Sequence, residues 1–211
     1  ANGLSGFELK TELKSITTIG HFWNTATSYD DLYQAYISTH SDVATSSGNQ
    51  YENDGTVLDI YSENPTGTDA YNYNHGSMQC GNQSSEGDCY NREHSWPQSW
   101  FNSVSGPYSD LFHIYPTDGY VNGNRSNWPF ANNGTIFWTS TNGSTLGIAT
   151  DPGYNGTAFE PIDEYKGDLA RVHKDSCIEL GVRVVGATPR DTGRARASWT
   201  PSGVPRLGTI Y

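Results

Sequence analysis

The sequence predicts an α+β domain. Three observations lead there. Helix signals sit near both ends of the chain, at 5–20, from Ser28, and beyond Asp163, while strand-like runs lie between them at 57–61 and 135–140. The aromatics Trp, Tyr and Phe make up 13 % of a chain that is only 34 % apolar, so 211 residues can build a core from few aliphatic side chains. Gly, Asn, Ser and Thr fill the remainder, which is the composition of long loops between short elements.

The elements follow in order. Ser5 with Glu8 three residues on is a capping box, and Phe7, Leu9, Leu13 and Ile16 set an amphipathic rhythm that Gly20 and His21 end. Ser28 and Asp31 repeat the box before Leu32, Tyr33, Tyr36 and Ile37. Residues 41–55 are polar and loop-like. Val57, Leu58, Ile60 and Tyr61 read as a strand, followed by turn signals at Asn64-Pro65 and Gly67. Residues 66–91 show no period. Pro116 is tolerated in a first helical turn, so a short helix is expected around it. Ile136, Phe137 and Trp138 mark a strand over 135–140, and 141–157 reads as loop. Phe159-Glu160-Pro161 opens a helix from about Asp163 past Val172.

Charge is distributed unevenly. The formal net charge is −11, yet between Ser15 and Tyr165 only Arg92 and Arg125 are cationic against seventeen Asp and Glu. The last stretch, 167–211, reverses this, with seven Lys and Arg against four acids. The balance argues against a general polyanion binder, because repulsion slows approach to nucleic acid. Salt screens that repulsion over about 8–10 Å, so an enzyme acting on nucleic acid with this charge should work in a salty medium. No run of 18 apolar residues suggests a membrane span, and no signal peptide is visible. A monomer is expected.

Cys80 and Cys89 are close in sequence and Cys177 is distant. A Cys80–Cys89 bridge would close a small loop worth about 2–3 kcal/mol. Three free thiols in a cytosolic protein is the competing reading, but acidity, few lysines and one methionine favour a secreted or periplasmic protein.

Two segments carry chemistry: Tyr90-Asn91-Arg92-Glu93-His94-Ser95-Trp96-Pro97 and Val121-Asn122-Gly123-Asn124-Arg125-Ser126-Asn127. A carboxylate suits a hard divalent ion, and a neutral imidazole takes a proton from water near neutral pH. Adjacent residues of an extended segment point opposite ways, so Glu93 could face metal while His94 faces water. Arg92 or Arg125 is the natural partner of phosphate. His113 is a second candidate ligand. Each feature alone has an ordinary reading, as a surface Arg-Glu-His run, a packed histidine or loop-bracing asparagines. The long combined pattern points to a metal-assisted site for a phosphate ester.

The run 91–101, with 109–130, closely resembles the bacterial endonuclease I family, and the likeness extends over roughly residues 1–172. The resemblance implies a ββα-metal (His-Me finger) site in a small mixed sheet flanked by helices. It implies secreted cleavage of DNA, with RNA as an alternative, through the phosphate backbone without sequence preference, leaving 5′-phosphate and 3′-OH ends. His94 would be the general base, and Glu93 and His113 would ligate one Mg²⁺, for which Mn²⁺ or Ca²⁺ could substitute. The three side chains should then converge, with His94 open to solvent. Asn122, Arg125 and Asn127 match the Asn-Gly-x-Arg-x-Asn signature, Asn122 and Asn127 as supporting residues. Phe112 stands where many relatives have His and is expected to pack. Relatives' arginine soon after the Glu-His pair is missing, which leaves Arg92, Arg125 or no arginine for phosphate.

After Arg171 the likeness stops. Residues 188–199 instead resemble, weakly, a phage tail or neck protein segment, so 173–211 is expected to be a divergent basic segment packed on the same domain. Two non-nuclease alternatives remain at this point: a carbohydrate-binding module, from the Tyr, Trp and Gly/Asn richness, and a phage structural protein.

Overall fold

A computed structural model describes residues 28–43, 52–103 and 105–179, with a few isolated positions before residue 28. Of the helix expected from Ser5 only Glu8, Thr11, Glu12 and Ser15 are described, each in helical conformation, and the whole basic tail beyond residue 179 lies outside the described residues.

A 3₁₀ turn (Tyr29–Asp31) runs into helix α1 (Leu32–Thr39). The expected capping box is formed: Ser28 Oγ accepts from the Asp31 amide and the Asp31 carboxylate accepts from the Ser28 amide. Strand β1 (Tyr90–His94) pairs antiparallel with β2 (Ile114–Asp118), and helix α3 (Gly119–Arg125) follows at once. That is a ββα unit. The short helix α2 (Ser105–Tyr108) lies in the connection between the two strands. A second antiparallel sheet, β3 (Asn133–Thr139), β4 (Thr145–Ala149) and β5 (Thr157–Glu160), precedes the terminal helix α4 (Asp163–Glu179). The architecture is α+β, with two small antiparallel sheets rather than one central sheet.

Four local expectations are corrected. Residues 57–61 form no strand; Val57 makes a single bridge to Ser41 and the chain then turns at Asp59. The turn forms because Asp59 Oδ1 takes the Tyr61 amide while its carbonyl takes those of Ser62 and Glu63. Pro116 lies in strand β2, not in a helix. Ser95 N donates to His113 O, so alternation along the ribbon makes Arg92–Pro116 a non-hydrogen-bonded pair, where a missing N–H loses no ladder bond. Residues 145–149 are a strand where loop was expected. Phe159 and Glu160 close strand β5 instead of opening a helix.

Two packed clusters position the site. Leu32 and Tyr36 of α1 pack on Tyr90 and Ile114 of the ribbon, with Val57 and Tyr73. Tyr61, Val121, Phe130, Phe159, Tyr165 and Leu169 join α3, the second sheet and α4. The buried phenols keep partners: Tyr36 donates to Ile114 O at 3.2 Å and Tyr73 to Asp118 Oδ2 at 2.5 Å. The Cys80–Cys89 disulfide is formed, with Cα atoms 5.5 Å apart, and Gly119 N donates to Cys89 O. The staple therefore ties the preceding loop to both β1 and the start of α3. Cys177 lies in α4, its side chain outside the described residues.

No helix among the described residues is long and apolar enough to cross a membrane.

Candidate active site

The site grows from the ends of the ββα unit. Asp118 starts α3: its Oδ1 accepts from the amides of Tyr120 and Val121, and its Oδ2 from Tyr73 and Gly87. The helix then returns Asn122 and Arg125 toward β1. Asn122 Nδ2 donates to Asn91 Oδ1 at 2.7 Å. Asn91 and Glu93 are two apart on one strand and share a face, so Asn122 sits beside the face that carries Glu93.

Glu93 is 2 % exposed. Its Oε1 accepts from Tyr61 Oη at 3.0 Å and pairs with Arg125 Nη1 at 2.9 Å. Its Oε2 accepts no hydrogen bond among the described residues. Burial pushes this carboxyl up to about 7, while Arg125 and Tyr61 pull it down. Arg125 is itself 1 % exposed. It donates to His94 O at 2.9 Å and Ser95 O at 2.6 Å and lies 4.5 Å over the Phe130 ring. It clamps the end of β1 to α3.

His94 is nearly enclosed, not open to solvent. Its ring lies against Tyr29 (5.5 Å), Tyr108 (5.7 Å) and Phe101 (6.1 Å). Nε2–H donates to Tyr108 O at 3.0 Å, which makes Nδ1 the basic nitrogen, where Gln98 Nε2 donates at 3.0 Å. Burial drives the ring's pKa down to about 4, with Arg125 and Arg92 adding to the shift. The imidazole is therefore neutral near pH 7.

The rings of His113 and His94 are 5.7 Å apart. His113 Nε2–H donates to Pro107 O at 2.7 Å, and its buried Nδ1 has no partner. Burial, then the neighbouring His94, lowers its pKa to about 4. A neutral ring with one nitrogen on a backbone carbonyl and a bare second lone pair has the electronic form of a metal ligand. No hydrogen bond or ion pair among the described residues joins Glu93 to His113. The residues present thus offer a divalent ion one uncommitted carboxylate oxygen and one uncommitted imidazole nitrogen, both donors it accepts.

Arg92 points to the other side. It donates to Tyr29 O at 2.6 Å, pairs with the exposed Asp30 at 2.9 Å, and stacks on Tyr29 and Tyr33. Tyr29 in turn stacks on His94, so Arg92 and the imidazole flank one ring. Asn127 is exposed just beyond α3, after Ser126, whose φ is +52°. Phe112, expected to pack, is 76 % exposed in the turn before His113.

Residues that the sequence did not single out complete the site: Tyr61, Gln98, Tyr108 and Tyr29. Tyr61 is 32 positions from Glu93, and Tyr108 serves through its carbonyl, so neither leaves a local signal. Asn91 was the legible one, two positions before Glu93 on an extended segment.

A model of the endonuclease I family matches residues 5–174, spanning every residue of this candidate site. The chain belongs to the endonuclease I family. Similar proteins include an extracellular ribonuclease of Bacillus amyloliquefaciens, 34 % identical over 176 residues. Another, from Bacillus subtilis (strain 168), is 32 % identical over 176 residues. Each alignment covers 82 % of this chain and 49 % of the relative, so the chain spans about half the length of the curated relatives it matches. No solved structure matches it.

Proposed function

We propose that this chain is a secreted, metal-dependent nuclease that hydrolyses phosphodiester bonds with His94 as general base. The observation that carries the reading is a neutral His94, its pKa depressed by burial, next along β1 to a Glu93 with an uncommitted oxygen. Family membership and the ribonuclease names of the relatives support it. The disulfide fits an oxidising compartment, and the relatives are named extracellular.

Glu93 Oε2 and His113 Nδ1 would hold Mg²⁺. Bound there, the ion would supply charge stabilisation at a phosphate oxygen and the leaving oxygen. The chain's own residues do the rest. Tyr61 and Arg125 fix the Glu93 carboxylate in one orientation. Tyr108 O holds the His94 tautomer, so that Nδ1 takes the proton of a water that replaces the Gln98 amide. Asn122 braces β1 through Asn91, and Asn127 lies at the exposed rim. Arg125 is buried and held through both Nη atoms by Glu93, His94 O and Ser95 O, so it acts as a frame. Arg92, whose ion pair with exposed Asp30 is worth about 0–1 kcal/mol, is the arginine free to exchange its partner for a phosphate.

The reading takes DNA or RNA as substrate without base preference, since phosphate contacts carry no sequence information. It takes residues 1–172 as the catalytic domain, with the basic 173–211 packed on it, and a monomer. The test is nicking of plasmid DNA and cleavage of RNA with Mg²⁺ and with EDTA. Activity should vanish in EDTA and fall by about 10²–10⁴ in His94→Ala. A His94→Ala variant that cleaves at the wild-type rate overturns the mechanism. Activity that persists in EDTA removes the metal. Absence of cleavage under all conditions returns the chain to the carbohydrate-binding or phage-structural readings.

A further inference from the structure

The turn that delivers Tyr61 to Glu93 carries an acidic cluster of its own. Glu63 is 0 % exposed, and neither of its carboxylate oxygens accepts from a donor; it can hydrogen-bond to Asp69 only by carrying a proton itself. Beside it, Glu52 Oε1 accepts from the Asp69 amide at 2.6 Å, while its buried Oε2 is unpartnered. Asp69 Oδ1 accepts from the Asn64 amide at 2.8 Å. One oxygen each from Glu52, Glu63 and Asp69 lies within 4.8 Å of the other two. Two ligands on opposite sides of a calcium ion, at about 2.3–2.6 Å each, stand about that far apart.

Among the described residues no cation neutralises these charges. Every described lysine or arginine side chain is engaged elsewhere: Arg92 with Asp30, Arg125 with Glu93, Lys166 with Glu160 and Asp163, and Arg171 with Asp168. Asp42, also buried and with its Oδ1 unpartnered, adds a fourth negative group in range of Glu63. Burial and the charges of Asp69 and Glu52 hold the Glu63 carboxyl well above its ordinary range. A single proton on Glu63 would leave Glu52 and Asp69 repelling each other and at least one buried oxygen bare. A divalent cation answers all of these deficits at once.

We propose that Glu52, Glu63 and Asp69 form a structural Ca²⁺ site, separate from the candidate Mg²⁺ site at Glu93, that braces the turn carrying Tyr61. Three carboxylates on an irregular loop suit calcium's flexible, oxygen-rich shell. Magnesium demands near-ideal octahedral geometry and usually keeps several waters. The site stands two residues from Tyr61, so calcium here would hold the phenol that positions Glu93.

The test uses the full chain stripped with EDTA, with Tm followed as CaCl₂ or MgCl₂ is added. At calcium roughly 100-fold above its dissociation constant, Tm should rise by about 5–10 °C, with a smaller rise in magnesium. Glu63→Gln should abolish the calcium shift while melting no lower than the wild type in EDTA, because the neutral amide relieves repulsion. Should Glu63→Gln fail to fold, Asp69→Asn gives the same reading. Glu93→Gln should keep the calcium shift, which separates this site from the nuclease centre. No calcium shift in the wild type overturns the proposal. So does an equal shift in Glu63→Gln or Asp69→Asn, or a shift lost only in Glu93→Gln. In Glu93→Gln, which removes the candidate Mg²⁺ ligand, a magnesium shift as large as calcium's overturns the choice of ion.

Discussion

The two arginines illustrate how burial decides a residue's role. Arg92 and Arg125 are chemically equal in the sequence. In the fold, Arg125 is 1 % exposed and pairs with a buried carboxylate, whereas Arg92 pairs with an Asp30 side chain that is 89 % exposed. Removing one partner of a buried ion pair strands the other, so Arg125→Met should destabilise by about 3–5 kcal/mol in urea unfolding. Arg92→Ala should lose about 1–2 kcal/mol, mostly from stacking on Tyr29 and Tyr33. If Arg92 exchanges Asp30 for phosphate, the same variant raises KM for nucleic acid. A destabilised Arg92→Ala with unchanged KM would confine Arg92 to structure. Sequence reasoning singled out Glu93, His94 and His113 as candidates. It missed Tyr61 and the Tyr108 carbonyl, because only a turn at Asp59 and the short helix α2 bring those atoms to the site.

At the scale of elements, Asp118 is the joint on which the ββα unit turns. It caps α3 with one oxygen and holds Tyr73 and Gly87 with the other. Asp118→Ala should therefore cost more than an ordinary cap, about 2–4 kcal/mol, since the buried Tyr73 hydroxyl also loses its acceptor. A loss under 1 kcal/mol in chemical denaturation would mean that the cap bonds are made good by water. Reducing the Cys80–Cys89 bridge should lower stability by about 2–3 kcal/mol, measured with and without reductant. In the second sheet, a Cβ at Gly147 would stand 2.5 Å from Thr135 O, so Gly147→Ala should cost about 1–3 kcal/mol by forcing β3 from β4. Helix α1 and strand β3 were legible because capping residues and β-branched or aromatic runs are local signals. Strands β4 and β5 were not. Gly147 interrupts β4, β5 is only four residues long with Pro161 directly after it, and their identity rests on pairing within the β3-β4-β5 sheet.

Across the whole molecule, the pH dependence of stability follows from what is buried uncharged. His173 is buried between the Trp96 and Phe130 rings, and burial first, then Arg125, lowers its pKa to about 3. Between about pH 6.5 and 3 the unfolded chain binds a proton there that the folded chain refuses, so stability falls as pH drops through that window. Asp59 behaves oppositely: burial raises its carboxyl to about 8. Between about pH 4 and 8 the folded chain keeps a proton that the unfolded one has lost, so stability falls as pH rises. The two effects oppose each other from about pH 4 to 6.5; the lowered His94 and His113 act with His173 on the acid side, and the raised Glu93 acts with Asp59 on the alkaline side. Tm in EDTA should accordingly decline on both sides of a plateau at about pH 4–6.5, with the acid-side decline shallower in His173→Leu. A Tm that climbs from pH 6.5 to 8 would contradict this. With a net charge of −11, cleavage of DNA should also rise or hold as NaCl is raised from very low levels, because screening weakens repulsion before it weakens local contacts. A monotonic fall from very low salt would count against it.

By itself the sequence determined the α+β class, the Ser28 cap, the terminal helix, the disulfide pair and the two short segments that carry chemistry. These are properties of neighbours along the chain, set by capping, side-chain pattern and residue type. The tertiary structure alone decided which oxygen of Glu93 stays uncommitted, that His94 is enclosed and neutral, that Arg125 is a clamp, and that Glu52, Glu63 and Asp69 meet. Those facts depend on burial and on contacts between distant residues, and burial sets the local dielectric that fixes charge, protonation and partner choice.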